Sequence, residues 1–494
     1  MNKGYSYAEK IIKNRNVSEE EYAYISENID NLKGFNTKLD WERVYLYGDT
    51  FKTILGSVSS NSQGIPAELA DVYLKKGYSL DDRVGISYLE YQYEEYLRGT
   101  KTTYRLLEDN SYELLSEGRR GNDIILTIDI ELQKYLEEVL SYEVLNAKNE
   151  AGTKYYDHSF AVISDPNTGE ILAMGGKKVV TKDSERYIVD YTPGVVTLPV
   201  TPGSVVKGAS MMVGYKYGAI DIGTVQYDEC IKIKDTPEKC SWRSMGYIDD
   251  IYALQYSSNV YQYKIAINVG KGKYEYNKSL NLDEDAFKKY RDMYAEFGLG
   301  VKTGIDLPVE SLGYQGTSKL PGHLLDFSIG QYDTYTPIQL SQYINTIANG
   351  GSKLKPYLLK EVYKPSDNGE KFGSLIYKAS TTVQGTLSVD KKYIDRVREG
   401  FSKVVTSGLG YGYMGYYNNS AGKTGTSQSF IDTDGDGKVD TETITSSFVG
   451  YSPSDNPKMS IVVVSPDISV PDSSQSMINK RITAKMVNKY FELY

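Results

Sequence analysis

Cysteine and histidine are nearly missing from this 494-residue chain, at two copies each. Two cysteines allow at most one ten-residue clip, which a large domain with its own core hardly needs. No apolar run of signal-peptide or membrane-span length occurs in the first thirty residues, which begin Met1-Asn2-Lys3-Gly4 and carry Lys, Glu and Tyr throughout. No long basic run offsets the formal charge of -9, so a nucleic-acid partner is excluded on electrostatic grounds. Internal repeats and low-complexity tracts are absent as well. What is present is ordinary for a chain that folds in water: 40% hydrophobic and 24% charged residues, over a length sufficient for two or three domains. The 47 tyrosines read as half-buried filler.

Residues 1–150 mix charged helical stretches such as Ser18-Glu19-Glu20-Glu21 with Gly-punctuated pieces such as Tyr47-Gly48-Asp49, the pattern of an irregular, elongated module. Near its end, Ile124 to Ile128 is a β-branched strand, and Ile130 to Leu145 has the periodicity of a connecting helix. From 151 to 494 the pattern is that of a second domain. Phe160-Ala161-Val162-Ile163 and Ile171-Leu172-Ala173-Met174 flank the turn Asp165-Pro166-Asn167-Thr168-Gly169 as a hairpin. Helical stretches follow at Val205 to Tyr217, Ile251 to Asn268 and Thr336 to Ala348. Strands return at Ser446 to Tyr451 and Met459 to Ser465, before a last helix from Ile478 to Phe491. Strands at both ends with helices between them predict an α+β domain whose antiparallel sheet collects both ends and is flanked by helices.

Ser204 and Lys207 form S-x-x-K, with Pro202 and Gly203 ahead of an apolar helical run. Positions i and i+3 share a helix face, so the amine can reach the hydroxyl, and the hydroxyl lies near a helix N-terminus that favours developing negative charge. Alone, this pattern arises by chance, and a capping serine beside a solvated lysine explains it equally. Two further elements follow in order: Ser257-Ser258-Asn259 supplies S-x-N, and Lys423-Thr424-Gly425-Thr426 supplies K-T-G on a strand. A second K-T-G at Lys302-Thr303-Gly304 is rejected, because Ile305 and Leu307 would hinder the close approach to a substrate peptide that Gly422 and Gly425 permit.

The trio resembles the active-site signature shared by penicillin-binding proteins and serine β-lactamases. Arg83-Val84-Gly85-Ile86-Ser87-Tyr88-Leu89-Glu90, Leu126-Thr127-Ile128-Asp129, Ser328-Ile329-Gly330-Gln331 and Thr336-Pro337 extend the resemblance to class B penicillin-binding proteins, from about Asp40 to the end. Tyr332 departs from the family, which commonly has Gly after the Gln. The resemblance implies an N-terminal pedestal, dimerisation-like module over 1–150 and a serine transpeptidase domain over 151–494. It implies that Ser204 is acylated by D-Ala-D-Ala stem peptides, that Ser257 relays the proton, and that Asn259 holds the substrate amide. Thr424 and Thr426, across Gly425, would bind the terminal carboxylate, and the backbone N–H groups of Ser204 and Thr426 would form the oxyanion hole. β-Lactams are expected to acylate the same serine. The family's membrane helix is missing from this chain, so the expected setting is the extracytoplasmic face of the bacterial cytoplasmic membrane, through an anchor outside this chain, among other cell-wall synthesis proteins. A β-lactamase is the nearest competing reading, but no E-x-x-L-N follows the S-x-N. A β-lactam receptor that acylates without cross-linking is the other.

At an ordinary lysine pKa only about one amine in a few thousand is neutral at pH 7, so Lys207 can act as a base only if its pKa falls by roughly three pH units. Burial and the like charge of Lys423 both act in that direction. No cofactor is required for this chemistry. Two further groups invite metals. Cys230, Cys240, His323 and Asp228 are expected to form a structural zinc site beside the cleft, with buried thiols or a disulfide as the alternatives. Asp432, Asp434 and Asp436 begin like a calcium loop, but position twelve is Thr443 and the flanks are strands, so a polar hairpin loop is the preferred reading.

Overall fold

The computed structural model describes residues 10–13, 16–37, 41–60, 63–108, 112–366, 369–417, 419–474 and 476–494. Met1 to Gly4 and Asp40 lie outside the described residues. Backbone contacts divide the chain into two units, Met1–Gly48 and Asp49–Tyr494. In the first, Ser18 caps the helix Glu19–Glu27 in a capping box with Glu21.

The second unit is built on a six-stranded antiparallel sheet. Its strands are β1 (His158–Ser164), β2 (Ile171–Lys182), β3 (Glu185–Asp190), β4 (Ala421–Ile431), β5 (Thr441–Ser452) and β6 (Met459–Ser469), in the spatial order β4-β5-β6-β1-β2-β3. One row of partners crosses it: Lys423 opposite Val449, Val449 opposite Val462, Val462 opposite Val162, and Val162 opposite Met174. Strands from the two ends of the domain thus lie side by side, as the apolar pattern predicts.

The central strands are covered on both faces, which is why they read as continuous apolar runs. Ala161, Ile163, Ile461 and Val463 share a core with Leu136 and Leu140 of helix α1 (Ile130–Ala147) and with Ile482 and Met486 of α7 (Ile478–Leu493). Phe160, Val162, Val462 and Val464 face the larger core, which includes Ile338 and Ile344 of the buried helix α5 (Pro337–Ala348). The alternation follows from the two-residue period of a strand. Thr336 and Pro337 start α5 through a capping box with Gln339.

The sequence assigns α1 a connecting role, but its apolar stripe packs onto β2 and α7. Buried Glu143 accepts from Arg481 at 2.5 Å and from Lys485 at 2.6 Å on α7. The preceding strand Asp123–Leu126 pairs with Leu359–Tyr363 inside the C-terminal half. The contact partition therefore falls well before the compositional change near residue 150. The Arg83-to-Glu90 segment helps build a small separate core of Ile65, Tyr73, Tyr78 and Val84, with the Gly85 amide donating to buried Glu94 at 2.7 Å.

The helix expected over Ile251 to Asn268 is two helices in the structure. One ends at Gln255 and α4 (Asn259–Val269) begins at Asn259, because Ser257 takes a left-handed conformation (φ +57°) and Ser258 turns its side chain to cap α4. The S-x-N residues occupy that break.

Glu143→Ala should leave Arg481 and Lys485 without their shared carboxylate and lower the free energy of unfolding by roughly 2 kcal/mol. Urea unfolding measures this, and a loss below about 0.5 kcal/mol would contradict the role given to Glu143.

Candidate active site

Ser204 sits in the 3-10 turn Gly203–Val206 that leads into α2 (Lys207–Lys216). Its amide belongs to the first turn, whose donors the helix leaves unpaired. The turn is wedged between two backbones. Gly330, of the Ser328-to-Gln331 segment, accepts from the Gly203 amide at 3.0 Å and has φ +84°; a Cβ there would lie 2.2 Å from the Gly203 carbonyl oxygen. On the other side a Cβ on Gly425 would lie 2.7 Å from the Pro202 carbonyl oxygen. Neither position admits a side chain, which is the physical content of both glycines. From below, Tyr343 of α5 donates to the Val205 carbonyl at 2.8 Å.

Lys207 is fully buried, and its amine reaches the break between the two helices. It donates to Asn259 Oδ1 at 2.6 Å, to the Ser257 carbonyl at 2.8 Å and to the Ser258 carbonyl at 3.2 Å, and it lies 3.2 Å from Ser257 Oγ. Lys423 on β4, also fully buried, donates to the same Ser257 Oγ at 2.9 Å and to the Thr424 carbonyl at 2.9 Å. Two amines from distant segments thus meet on one hydroxyl. Burial drives the Lys207 pKa well below the lysine range, with the Lys423 charge adding to the effect and Asp228 opposing it. Burial brings Lys423 down to about 7. Burial acts on both amines, and at Lys207 the neighbouring charge adds to it.

No hydrogen bond joins Ser204 Oγ to either amine among the described residues. Nucleophile and base are commonly looser in an empty site than in a reacting one. Strand β4 is at the sheet edge, so one set of its backbone groups is free of strand partners. Lys423, Gly425 and Ser427 are buried along one pleat; Thr424 and Thr426 share the other, with Thr426 exposed.

The rejected K-T-G copy is structural. Thr303 is buried in an irregular segment, its amide donating to Glu310 at 2.6 Å, and Lys302 is exposed. Tyr332, the departure from the family pattern, packs its ring where a Cβ on Gly316 would otherwise stand, donates its hydroxyl to the Ser318 carbonyl, and stacks on His323 at 5.3 Å.

The expected zinc set is not assembled. Cys230 and Cys240 are bonded to each other as a disulfide, and His323 Nδ1 lies 2.7 Å from Ser318 Oγ. Asp228 instead accepts from Ser258 Oγ at 2.6 Å and from Ser241 Oγ at 2.8 Å. The carboxylate grouped with the two sulfurs is that of Glu238. A disulfide leaves no thiolate for a metal, so these residues do not fit zinc. The pairing serves the break at Ser257: Ser241 Oγ accepts from the Asn259 amide at 3.0 Å, and the Cys240 carbonyl accepts from Asn259 Nδ2 at 3.3 Å. The sequence singles out Asp228 for the wrong task and passes over Ser241; their signal is three-dimensional, since thirteen residues separate two groups that share a hydrogen bond.

The calcium reading is also corrected in part. In the loop between β4 and β5 the grouped carboxylates are Asp432, Asp434 and Asp440, without Asp436. Asp432 accepts from the Gly435 and Gly437 amides, Asp436 from that of Lys438, and Asp440 binds Thr433. These oxygens shape a polar hairpin.

Comparison with known proteins comes to the same place. The penicillin binding protein transpeptidase domain matches residues 159–488, and the penicillin-binding protein dimerisation domain matches residues 1–126. Penicillin-binding protein 2A of Bacillus subtilis (strain 168) is 43% identical over 500 residues, covering 100% of this chain and 70% of that protein. The peptidoglycan D,D-transpeptidase MrdA of Acinetobacter baumannii is 27% identical, covering 92% of this chain and 68% of its own length. The solved structure of penicillin-binding protein 2B from Streptococcus pneumoniae (strain R6) superposes with a TM-score of 0.84 at 32% identity, covering 97% of this chain and 78% of that one. No helix among the described residues is long and apolar enough to cross a membrane.

Thiol titration of the denatured, unreduced protein should find no free thiol, and metal analysis of protein purified without chelator should find under roughly a tenth of an equivalent of zinc. Two titratable thiols with stoichiometric zinc would restore the metal site.

Proposed function

The chain belongs to the class B penicillin-binding proteins, the D,D-transpeptidases of cell-wall synthesis, and we propose that Ser204 is the residue through which it forms its acyl-enzyme. The observation that carries this reading is the meeting of Lys207 and Lys423 on Ser257 Oγ, in the break that Asn259 closes.

With Lys207 neutral, its lone pair takes the proton of Ser204 as the serine oxygen attacks the carbonyl of the penultimate D-Ala. The tetrahedral oxyanion is held by the backbone N–H groups of Ser204 and Thr426, one at a helix start and one on an edge strand. Collapse of that intermediate needs a proton on the departing amine. Ser257 supplies it and is replenished from Lys207, while Lys423, donating to the same oxygen, keeps the hydroxyl oriented. Asn259 holds the substrate amide, and Thr424 and Thr426 take the terminal carboxylate. An amine from a neighbouring stem peptide then attacks the acyl-enzyme by the same steps in reverse, which releases Ser204 and forms the cross-link. A β-lactam offers a strained amide and a carboxylate in similar relation, so it acylates Ser204 in place of the peptide.

The reaction is placed outside the cytoplasmic membrane, where stem peptides are exposed, and the Cys230–Cys240 disulfide supports an oxidising compartment. Membrane attachment and association with other cell-wall synthesis proteins belong to the same proposal.

Ser204→Ala should abolish covalent labelling by a fluorescent penicillin, whereas Lys302→Ala should leave it intact; intact-mass measurement reads both, and stoichiometric labelling of the Ser204 variant would remove that residue from its role. The second-order acylation constant should be bell-shaped in pH. Its rising limb reports loss of the Lys207 proton, and its falling limb, near the Lys423 pKa of about 7, reports loss of the second charge. Lys423→Met removes a cation beside Lys207, so the rising limb should move to higher pH and the falling limb vanish; an unmoved profile would refute the coupling.

A further inference from the structure

Three residues beside the catalytic break have no part in the mechanism above. Trp242 follows Ser241 just beyond the Cys230–Cys240 disulfide and is 57% exposed, yet its position is fixed, because its indole N–H donates at 2.8 Å to the carbonyl of Tyr256, the residue before Ser257. The Arg243 guanidinium lies 4.6 Å from the Trp242 ring centre and 4.8 Å from that of Tyr256. The Tyr256 ring is backed in turn by Tyr252 at 4.5 Å. Two aromatic faces therefore hold one cation, a geometry that stabilises the charge while leaving its in-plane N–H donors pointing outward.

That cation has no carboxylate partner among the described residues. It lines a cleft of about 250 Å³ together with the disulfide, Ser244 and Tyr227. The two carboxylates of the cleft are committed elsewhere: Asp228 accepts from two serines, and Glu229 pairs with Lys264 at 3.6 Å. The bond nearest to a commitment for Arg243 is a long one, 3.5 Å to the Tyr252 hydroxyl. A pre-oriented guanidinium offers a planar fork of donors, and its best complement is a carboxylate bound through two oxygens.

We infer that Arg243, held between Trp242 and Tyr256, binds a side-chain carboxylate of the stem peptide, a contact separate from the one made to the terminal carboxylate by Thr424 and Thr426. The inference rests on the transpeptidase reading of the site and adds a second recognition point to it. The ligand class is an acidic residue upstream of the scissile D-Ala-D-Ala bond, with its side-chain carboxylate free. Amidation of that group would remove the charge and one acceptor oxygen, so the platform separates amidated from unamidated peptides.

Paired thioester stem-peptide analogues test this, one with free side-chain carboxylates and one with the same groups as carboxamides. The quantity read is the ratio of their kcat/KM values. The wild-type ratio should be about tenfold in favour of the free acid, as expected for one charge-assisted contact at a partly wet site. Arg243→Gln should bring the ratio close to one, and Arg243→Lys should restore part of it. General loosening of the site would slow both substrates together and leave the ratio unmoved. A wild-type ratio near one, or a ratio that survives Arg243→Gln, overturns the inference. Penicillin labelling of the wild-type protein, measured alongside, separates the two levels: its absence refutes the catalytic reading, and its presence with no selectivity refutes the Arg243 contact alone.

Discussion

Everything at this site depends on keeping two ammonium groups out of water with no carboxylate in hydrogen-bonding contact with either among the described residues. Dehydrating a lysine is costly, and dehydrating two beside each other costs more. Burial lowers the pKa of both amines, and the Lys423 charge adds to the effect at Lys207, so loss of a proton from the pair is made easier. The same burial that would destabilise an ordinary core favours the neutral amine that the proposed base requires. Ser257, held in a backbone conformation that side chains other than glycine rarely adopt, stores part of the strain.

Such an arrangement persists only if its surroundings fix it. The sheet supplies Lys423 from an edge strand whose other side is tied into a row crossing to β2. Helix α5 props the serine turn through Tyr343, and the glycines at 330 and 425 bring two backbones against that turn. The segments on either side of the disulfide secure the third side through Asp228 and Ser241. Rigid supports on three sides are what preorganised catalysis demands of a fold.

Much of this was legible before any coordinates. Apolar runs such as Phe160 to Ile163 announce strands, and small residues around Lys423 distinguish its K-T-G, which meets Ser257, from the copy at Lys302, whose Thr303 is buried in an irregular segment. The break between Gln255 and Asn259 was not legible, because helical periodicity persists across it and the signal is a single left-handed serine. The fate of the cysteines was hidden for a different reason. Ligand counting cannot tell two thiols that bond to each other from two that share a metal, and His323 was already engaged by Tyr332 and Ser318. Helix α1 was misjudged because its apolar stripe does not say which surface it will cover.

The four side chains to which the reaction is assigned occupy positions 204, 207, 257 and 423, and the second amine is carried by a strand near the end of the chain. A polypeptide leaving the ribosome therefore displays its serine long before it owns the group that polarises the neighbouring hydroxyl. The cluster is complete only once the strand carrying Lys423 has joined the sheet. Until that strand is in place, the amine at position 423 cannot meet the Ser257 hydroxyl.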